Sequence, residues 1–213
     1  MNSFWDYFQI AVLVAFASLV WGRTLYERIH GINAIRFLRS HGRKRGFSIA
    51  VITIINIWVV LLVLNLTHPE IRFLPAPLAH TLVNAFQFRV TGVILIALGF
   101  VLYVSAWKTL GNNWRMGHDE QVSLVLIKEG VYSISRNPFY LFYMVYFFGT
   151  FLINGEAVFL LLTALLCIAI HYLILEEEKG LAITHGDEYE NYRLHTGRYF
   201  TFRRASRSER SSD

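Results

Sequence analysis

The chain has 213 residues, 54% of them hydrophobic and 16% charged, with a net charge of +5 and one cysteine. This is too apolar for a soluble domain of that length. Cys167 alone cannot form an intrachain disulfide and supports no thiolate metal cluster. The positive charge admits either nucleic acid or a membrane surface as partner, until its distribution is read.

Five apolar segments approach the roughly 20 residues needed to cross a bilayer. They are Phe4 to Trp21, Phe47 to Leu66, Val90 to Trp107, the shorter Pro138 to Ile153, and Ala157 to Leu175. Trp5, Trp21 and Trp107 stand at segment ends, where interfacial anchors sit. An A-x-A-like pattern in the first segment suggests signal cleavage, but no basic residue precedes it and Asp6 does, so it reads as a retained helix. Between the first two segments, a loop mixing apolar and basic residues either lies along the membrane surface or serves simply as a topogenic loop. The loop after the second segment holds three of the four prolines and is expected to be irregular. On the third segment, Gly92, Gly99 and Ala106 fall seven apart and present small residues for close packing. Only Asn154 to Glu156 separates the fourth and fifth segments, which predicts an antiparallel hairpin. The tail after Phe202 is polar and of low complexity, the signature of disorder.

Eighteen of the 20 Lys and Arg residues fall on one side of these spans, leaving Arg72 and Arg89 on the other. With five spans this puts the N-terminus outside and the C-terminus in the cytoplasm. The fold class expected is therefore all-α, a polytopic membrane protein with about five transmembrane helices. The charge records topology, and no extramembrane domain is long enough to bind nucleic acid.

Unusual polar residues gather at the cytoplasmic side of the last three spans. In "SRNPFY", Pro138 suits the first helical turn, Asn137 is a candidate N-cap, and Arg136 lies just outside. Together they form either a carboxylate site or merely a capped helix with a topogenic arginine, the commoner arrangement. Glu176, Glu177 and Glu178 end the fifth segment, where the helix dipole is already negative. Successive residues point about 100° apart, so the three cannot share a direction. At least one should face the bundle, to pair with Arg136 or to meet a cationic ligand group. His171 shares the face of Glu178 and reads as a hydrogen-bonded packing histidine sooner than a ligand. A cation site opposite a carboxylate site suits a zwitterion such as an amino acid or S-adenosylmethionine. Tyr132, Tyr140 and Tyr143 add aromatic faces that favour a sulfonium.

These clusters, in this order, resemble the integral-membrane methyltransferases related to isoprenylcysteine carboxyl methyltransferase and phospholipid methyltransferases. The elements are Leu110-Gly111; Gly130-Val131-Tyr132 followed by Arg136-Asn137-Pro138-Phe139-Tyr140; Glu177-Glu178-Lys179-Gly180-Leu181; and His185 to Tyr192, with tyrosines at 189 and 192. The family pattern has histidine where this chain has Asn137, and phenylalanine where it has His185. The resemblance covers Leu110 to about Phe200. It implies S-adenosylmethionine as methyl donor, a lipophilic membrane-soluble acceptor, catalytic Arg136 and Glu177, and a donor site formed by Tyr132, Asn137, Tyr140, Glu177, Glu178 and Tyr189, without a metal. It also implies a division into three spans over 1–107, a methyltransferase-like region over 108–202 and the tail over 203–213. The isoprenylcysteine branch is the nearest match in topology, with phospholipid N-methylation and thiol S-methylation as alternatives. An NADPH-dependent reductase of the sterol-reductase type and a non-catalytic scaffold or transport protein are the rivals. The host membrane, whether plasma or inner membrane or endoplasmic reticulum, and the oligomeric state stay open.

Overall fold

A computed structural model describes residues 4–29, 42–68, 74–110 and 125–201. The described residues are all-helical, with a single isolated bridge between Thr81 and Glu156. Five long helices come in order: α1 (Phe4–Ile29), α2 (Gly42–Thr67), α3 (Phe86–Leu110), α4 (Pro138–Asn154) and α5 (Ala157–His185). A 3-10 turn (Gly130–Ser133) precedes α4, and a short α6 (Asp187–His195) follows α5. Three of these, α2, α3 and α5, are long and apolar enough to cross a membrane; α4, at 17 residues, is shorter, as is the Phe4–Ala15 stretch of α1. The basic loop between α1 and α2, the Gly111 end of the Leu-Gly element and the terminal tail lie outside the described residues.

The core forms where α4 meets α2, α3 and α5. Trp58 of α2 is fully buried against Phe147 and Phe159, with ring centroids 4.7 and 6.3 Å away. The expected small-residue stripe lies at the α3–α4 contact, with Gly92, Gly99 and Ala106 all buried. Gly92 and Gly149 face each other so closely that a Cβ on Gly92 would sit 2.5 Å from the Gly149 carbonyl oxygen. Neither position has room for a side chain, and this lets the two backbones meet.

The α4–α5 hairpin turns at Gly155, whose φ of 77° is the left-handed conformation that favours glycine. The α5 start is satisfied from outside the helix: the Ala157 and Val158 amides donate to the carbonyls of His80 and Leu78 at 2.9 and 3.0 Å. The proline-bearing loop, described from Leu74 onward, is irregular as expected and docks on this turn. At about 1.5 Å per residue, some 20 residues of α5 suffice to cross the hydrocarbon core, which brings the chain to Glu176. The last turns of α5, with its glutamates, therefore reach the polar boundary and carry on beyond it.

Candidate active site

Two polar constellations stand at the end of the bundle where α3 and α5 finish and α4 begins. The first is built on Glu178. Its Oε1 accepts from Arg136 Nε and Nη2 at 3.2 and 2.9 Å and from Asn137 Nδ2 at 3.0 Å. Its Oε2 accepts from Arg198 Nε and Nη2 at 3.0 and 2.8 Å. Two guanidinium forks thus bracket one carboxylate. The Arg136 and Glu178 side chains are 7% and 8% exposed. Arg136 also donates from Nη1 to the carbonyls of Arg193 and Thr196 at 3.1 and 2.7 Å. Four of the five guanidinium N–H groups are thereby committed to protein acceptors. The Glu178 hydrogen bond, followed by its charge, raises the Arg198 pKa further.

Asn137 occupies the N-cap position of α4, and Pro138 follows at the first helical turn. The side chain does not cap the helix, contrary to the expectation from sequence. Its amide is drawn instead to Glu178 and to the Arg198 carbonyl, 3.2 Å away. The rotamer that these two Nδ2 donations set leaves Oδ1 without a cap hydrogen bond. The segment after α6 is strapped across the same loop. Arg136 N donates to Gly197 O at 3.0 Å, Thr201 N to Ile134 O at 2.8 Å, and Ser135 Oγ to Arg198 O at 3.3 Å.

An open cleft lies beside this network. Tyr132, Tyr189, Tyr192, Arg136, Asn137 and His185 line it, with Leu110, Val125, Leu126, Ile127 and Leu181 as apolar walls. The Tyr192 hydroxyl donates to the Tyr132 carbonyl at 2.6 Å, fixing α6 against the 3-10 turn. Burial pushes the Tyr132 and Tyr192 phenols above their ordinary range, and burial followed by the Glu178 charge takes Tyr189 up to about 12. All three are therefore neutral at physiological pH.

The second constellation is Glu177. It points away from Glu178, as a 100° step requires, and lies near enough to the Tyr140 hydroxyl for the two to interact. Lys44 of α2 is the cation whose field reaches it. Tyr140, Glu177 and Glu178 are not on the cleft wall, whereas Tyr132, Asn137 and Tyr189 are. Glu177 acts electrostatically on Tyr132. The six expected donor-site residues thus divide into three that line the cleft and three that do not. Of the others, Glu176 pairs with Lys179 at 2.8 Å, and His171 Nδ1 meets the Tyr199 hydroxyl at 2.8 Å.

Sequence reasoning missed Arg198 and the strap, and named Tyr192 only as part of the family pattern. Arg198 looked like one more topogenic cation. The signal available was the excess of carboxylates at the end of α5, which called for more than one cationic partner.

A family model described as phospholipid methyltransferase matches residues 88–188, from the first turn of α3 into α6. This stretch, just under half of the chain, is similar to that family. The matched region holds α3, α4, α5, the Arg136–Glu178 pair and Glu177, while Arg198 and most of the strap lie beyond it. No curated protein matched the chain. The match is a likeness to membrane methyltransferases that act on lipids. The all-helical fold with three span-length helices agrees with an integral membrane protein.

Proposed function

We propose that the protein transfers a methyl group from S-adenosylmethionine to an amine on a membrane lipid, the donor occupying the cleft and Glu177 serving the acceptor. The observation that carries the choice of acceptor is the division of labour between the two glutamates. A carboxylate acceptor, as in isoprenylcysteine methylation, would need a free cation on the cleft wall, and Arg136, the arginine there, spends four of its N–H groups on protein. An amine acceptor needs a carboxylate, and Glu177 is held in no ion pair among the described residues.

The cleft suits the donor: neutral tyrosine rings for a base and a sulfonium, apolar walls, and an arginine and an asparagine at one end. Bound S-adenosylmethionine supplies a methyl on a sulfonium, which passes to the acceptor nitrogen's electron pair while the C–S pair stays on sulfur. Glu177 takes the proton the nitrogen must lose, as a general base. The Glu178 network holds the α4 start, α5 and the strap in register, so that donor and acceptor meet in line. Five spans and a cytoplasmic site are part of this reading, supported by the Lys and Arg bias and by the cytoplasmic origin of the donor.

The test is labelled methyl transfer from S-adenosylmethionine by the purified chain, with lipid amines and an isoprenylcysteine as competing acceptors. Label in the amine lipid, lost in Glu177→Gln with S-adenosylhomocysteine binding retained, is the expected result. Label in the isoprenylcysteine, or undiminished transfer by Glu177→Gln, refutes the acceptor assignment. Stabilisation by NADPH and not by S-adenosylhomocysteine refutes the donor assignment.

A further inference from the structure

Lys44 has no role in the site described so far. Phe47 of α2 and Tyr172 of α5 stack with ring centroids 5.2 Å apart and planes 11° from parallel. This contact sets the level of the two antiparallel helices. Lys44 lies three residues before Phe47, on the same face of α2. Glu176 and Glu177 lie four and five residues beyond Tyr172, one helical turn further toward the same end. Lys44 and the glutamates therefore share a level at the membrane boundary, Lys44 half-buried. Glu176 is already paired with Lys179. The field of Lys44 reaches both glutamates. Yet no ion pair joins Lys44 to Glu177 or to any other group among the described residues.

A half-buried cation and a carboxylate on facing helices, with no ion pair between them among the described residues, offer one charge of each sign at one level of the bundle. We propose that Lys44 is a specificity-determining residue: it binds the anionic phosphodiester of the acceptor headgroup while Glu177 receives the amine of the same headgroup. A phosphodiester-linked amine is a zwitterion with the two charges a few bonds apart, matched to a lysine and a glutamate on facing helices. A lysine ammonium suits the phosphate because it acts as a point charge without demanding a fork geometry. This rests on the amine-acceptor reading and adds to it the recognition of a second group on the acceptor.

The experiment measures methyl transfer by the full chain in a phosphate-free detergent, with phosphatidylethanolamine and sphingosine as separate acceptors. The first carries the phosphodiester and the second only an amine. Lys44→Ala leaves Arg43 and Arg45 to maintain the flanking charge. It is expected to raise the KM for phosphatidylethanolamine by about tenfold to a hundredfold, the range for a charge-assisted contact, with the KM for S-adenosylmethionine unchanged. Lys44→Arg restores most of the loss. Sphingosine is a poor acceptor for the wild type, and Lys44→Ala does not weaken it further. Equal losses on both acceptors, or no loss on phosphatidylethanolamine, would overturn the role of Lys44 while leaving the amine chemistry intact. Transfer to neither amine by the wild type overturns the acceptor reading itself, and the role of Lys44 with it.

Discussion

The adjacent glutamates give the sharpest test, because the proposed function gives them opposite kinds of work. Consider Glu178→Gln and Glu177→Gln in parallel. Glu178 accepts five hydrogen bonds from Arg136, Asn137 and Arg198. Glutamine is nearly isosteric but removes the charge and presents one oxygen and one NH₂ in place of two oxygens. The NH₂ then faces the fork of one arginine, donor against donor, and two guanidinium groups lose their shared counter-charge. Breaking a buried ion pair from one side costs about 3–5 kcal/mol. Arg136 and Glu178 are buried enough for that range to apply, while Arg198, at 32% exposed, regains part of its loss from water. At about 2–4 °C per kcal/mol for a chain of this size, the melting temperature falls by roughly 6–20 °C.

Glu177→Gln breaks no ion pair among the described residues and keeps an oxygen for the Tyr140 hydroxyl, so its melting temperature stays within a few degrees. Its transfer rate falls by about 10²–10⁴-fold, the usual contribution of a general base. The assay is thermal unfolding of the purified protein in detergent, read beside labelled methyl transfer and limited proteolysis of the C-terminal segment. The reasoning fails if both variants melt together, or if Glu178→Gln keeps wild-type stability. It also fails if Glu177→Gln loses stability in proportion to activity, which would make both glutamates structural.

Three further outcomes follow from the geometry. Arg136→Lys keeps the charge but not the fork, so it cannot hold Glu178 and the two strap carbonyls together; faster hydrogen exchange at residues 193–201 is expected, and unchanged exchange there would show that the strap does not depend on the fork. Burial raises the Glu156 carboxyl above its ordinary value, the long hydrogen bonds from Asn65 at 3.4 and 3.5 Å offsetting this only in part. The folded state therefore binds that proton more tightly than the unfolded one, which adds stability below the unfolded pKa near 4.5 and loses it as pH rises through the raised folded value. Glu156→Gln should melt higher than wild type at pH 7, with the difference vanishing toward pH 4.5, and a pH-independent difference contradicts this. Gly92→Ala drives a Cβ against the Gly149 carbonyl oxygen, backbone that no rotamer can move aside. The overpacking should cost about 1–3 kcal/mol and outweigh a helix-propensity gain of up to ~1 kcal/mol, as chemical unfolding of the variant would reveal.

The helices were legible because membrane spans announce themselves through long apolar runs, and the α3 stripe because Gly92, Gly99 and Ala106 repeat at helical spacing. Arg136 and the glutamates stood out for a similar reason, charge placed where a membrane helix tolerates little of it. What periodicity could not supply was partnership across the chain. The helical step showed that Glu176, Glu177 and Glu178 diverge, yet not which would meet Arg136, since that depends on how α4 and α5 are rotated against each other. Arg198 was invisible because its partner lies 20 residues earlier and the strap returns without a helix to mark its path.

The asparagine at 137 shows how far a family pattern carries. Read against the motif, it is a missing imidazole in a donor site. In the fold, its amide donates to Glu178 and to the Arg198 carbonyl at once. A histidine in that place could make both contacts only with both ring nitrogens protonated, and a third positive charge beside Arg136 and Arg198 would oppose that state. Asparagine makes both donations without charge, so the two arginines already present suffice to balance Glu178. The departure from the motif and the recruitment of Arg198 from beyond the matched region therefore belong to one arrangement. Asn137→His should accordingly weaken the Arg198 contact, and Asn137→His with Arg198→Ala should lose less stability than the two single changes added together. Additive losses in that double-mutant cycle would show the two positions to be independent and the account of Asn137 to be wrong.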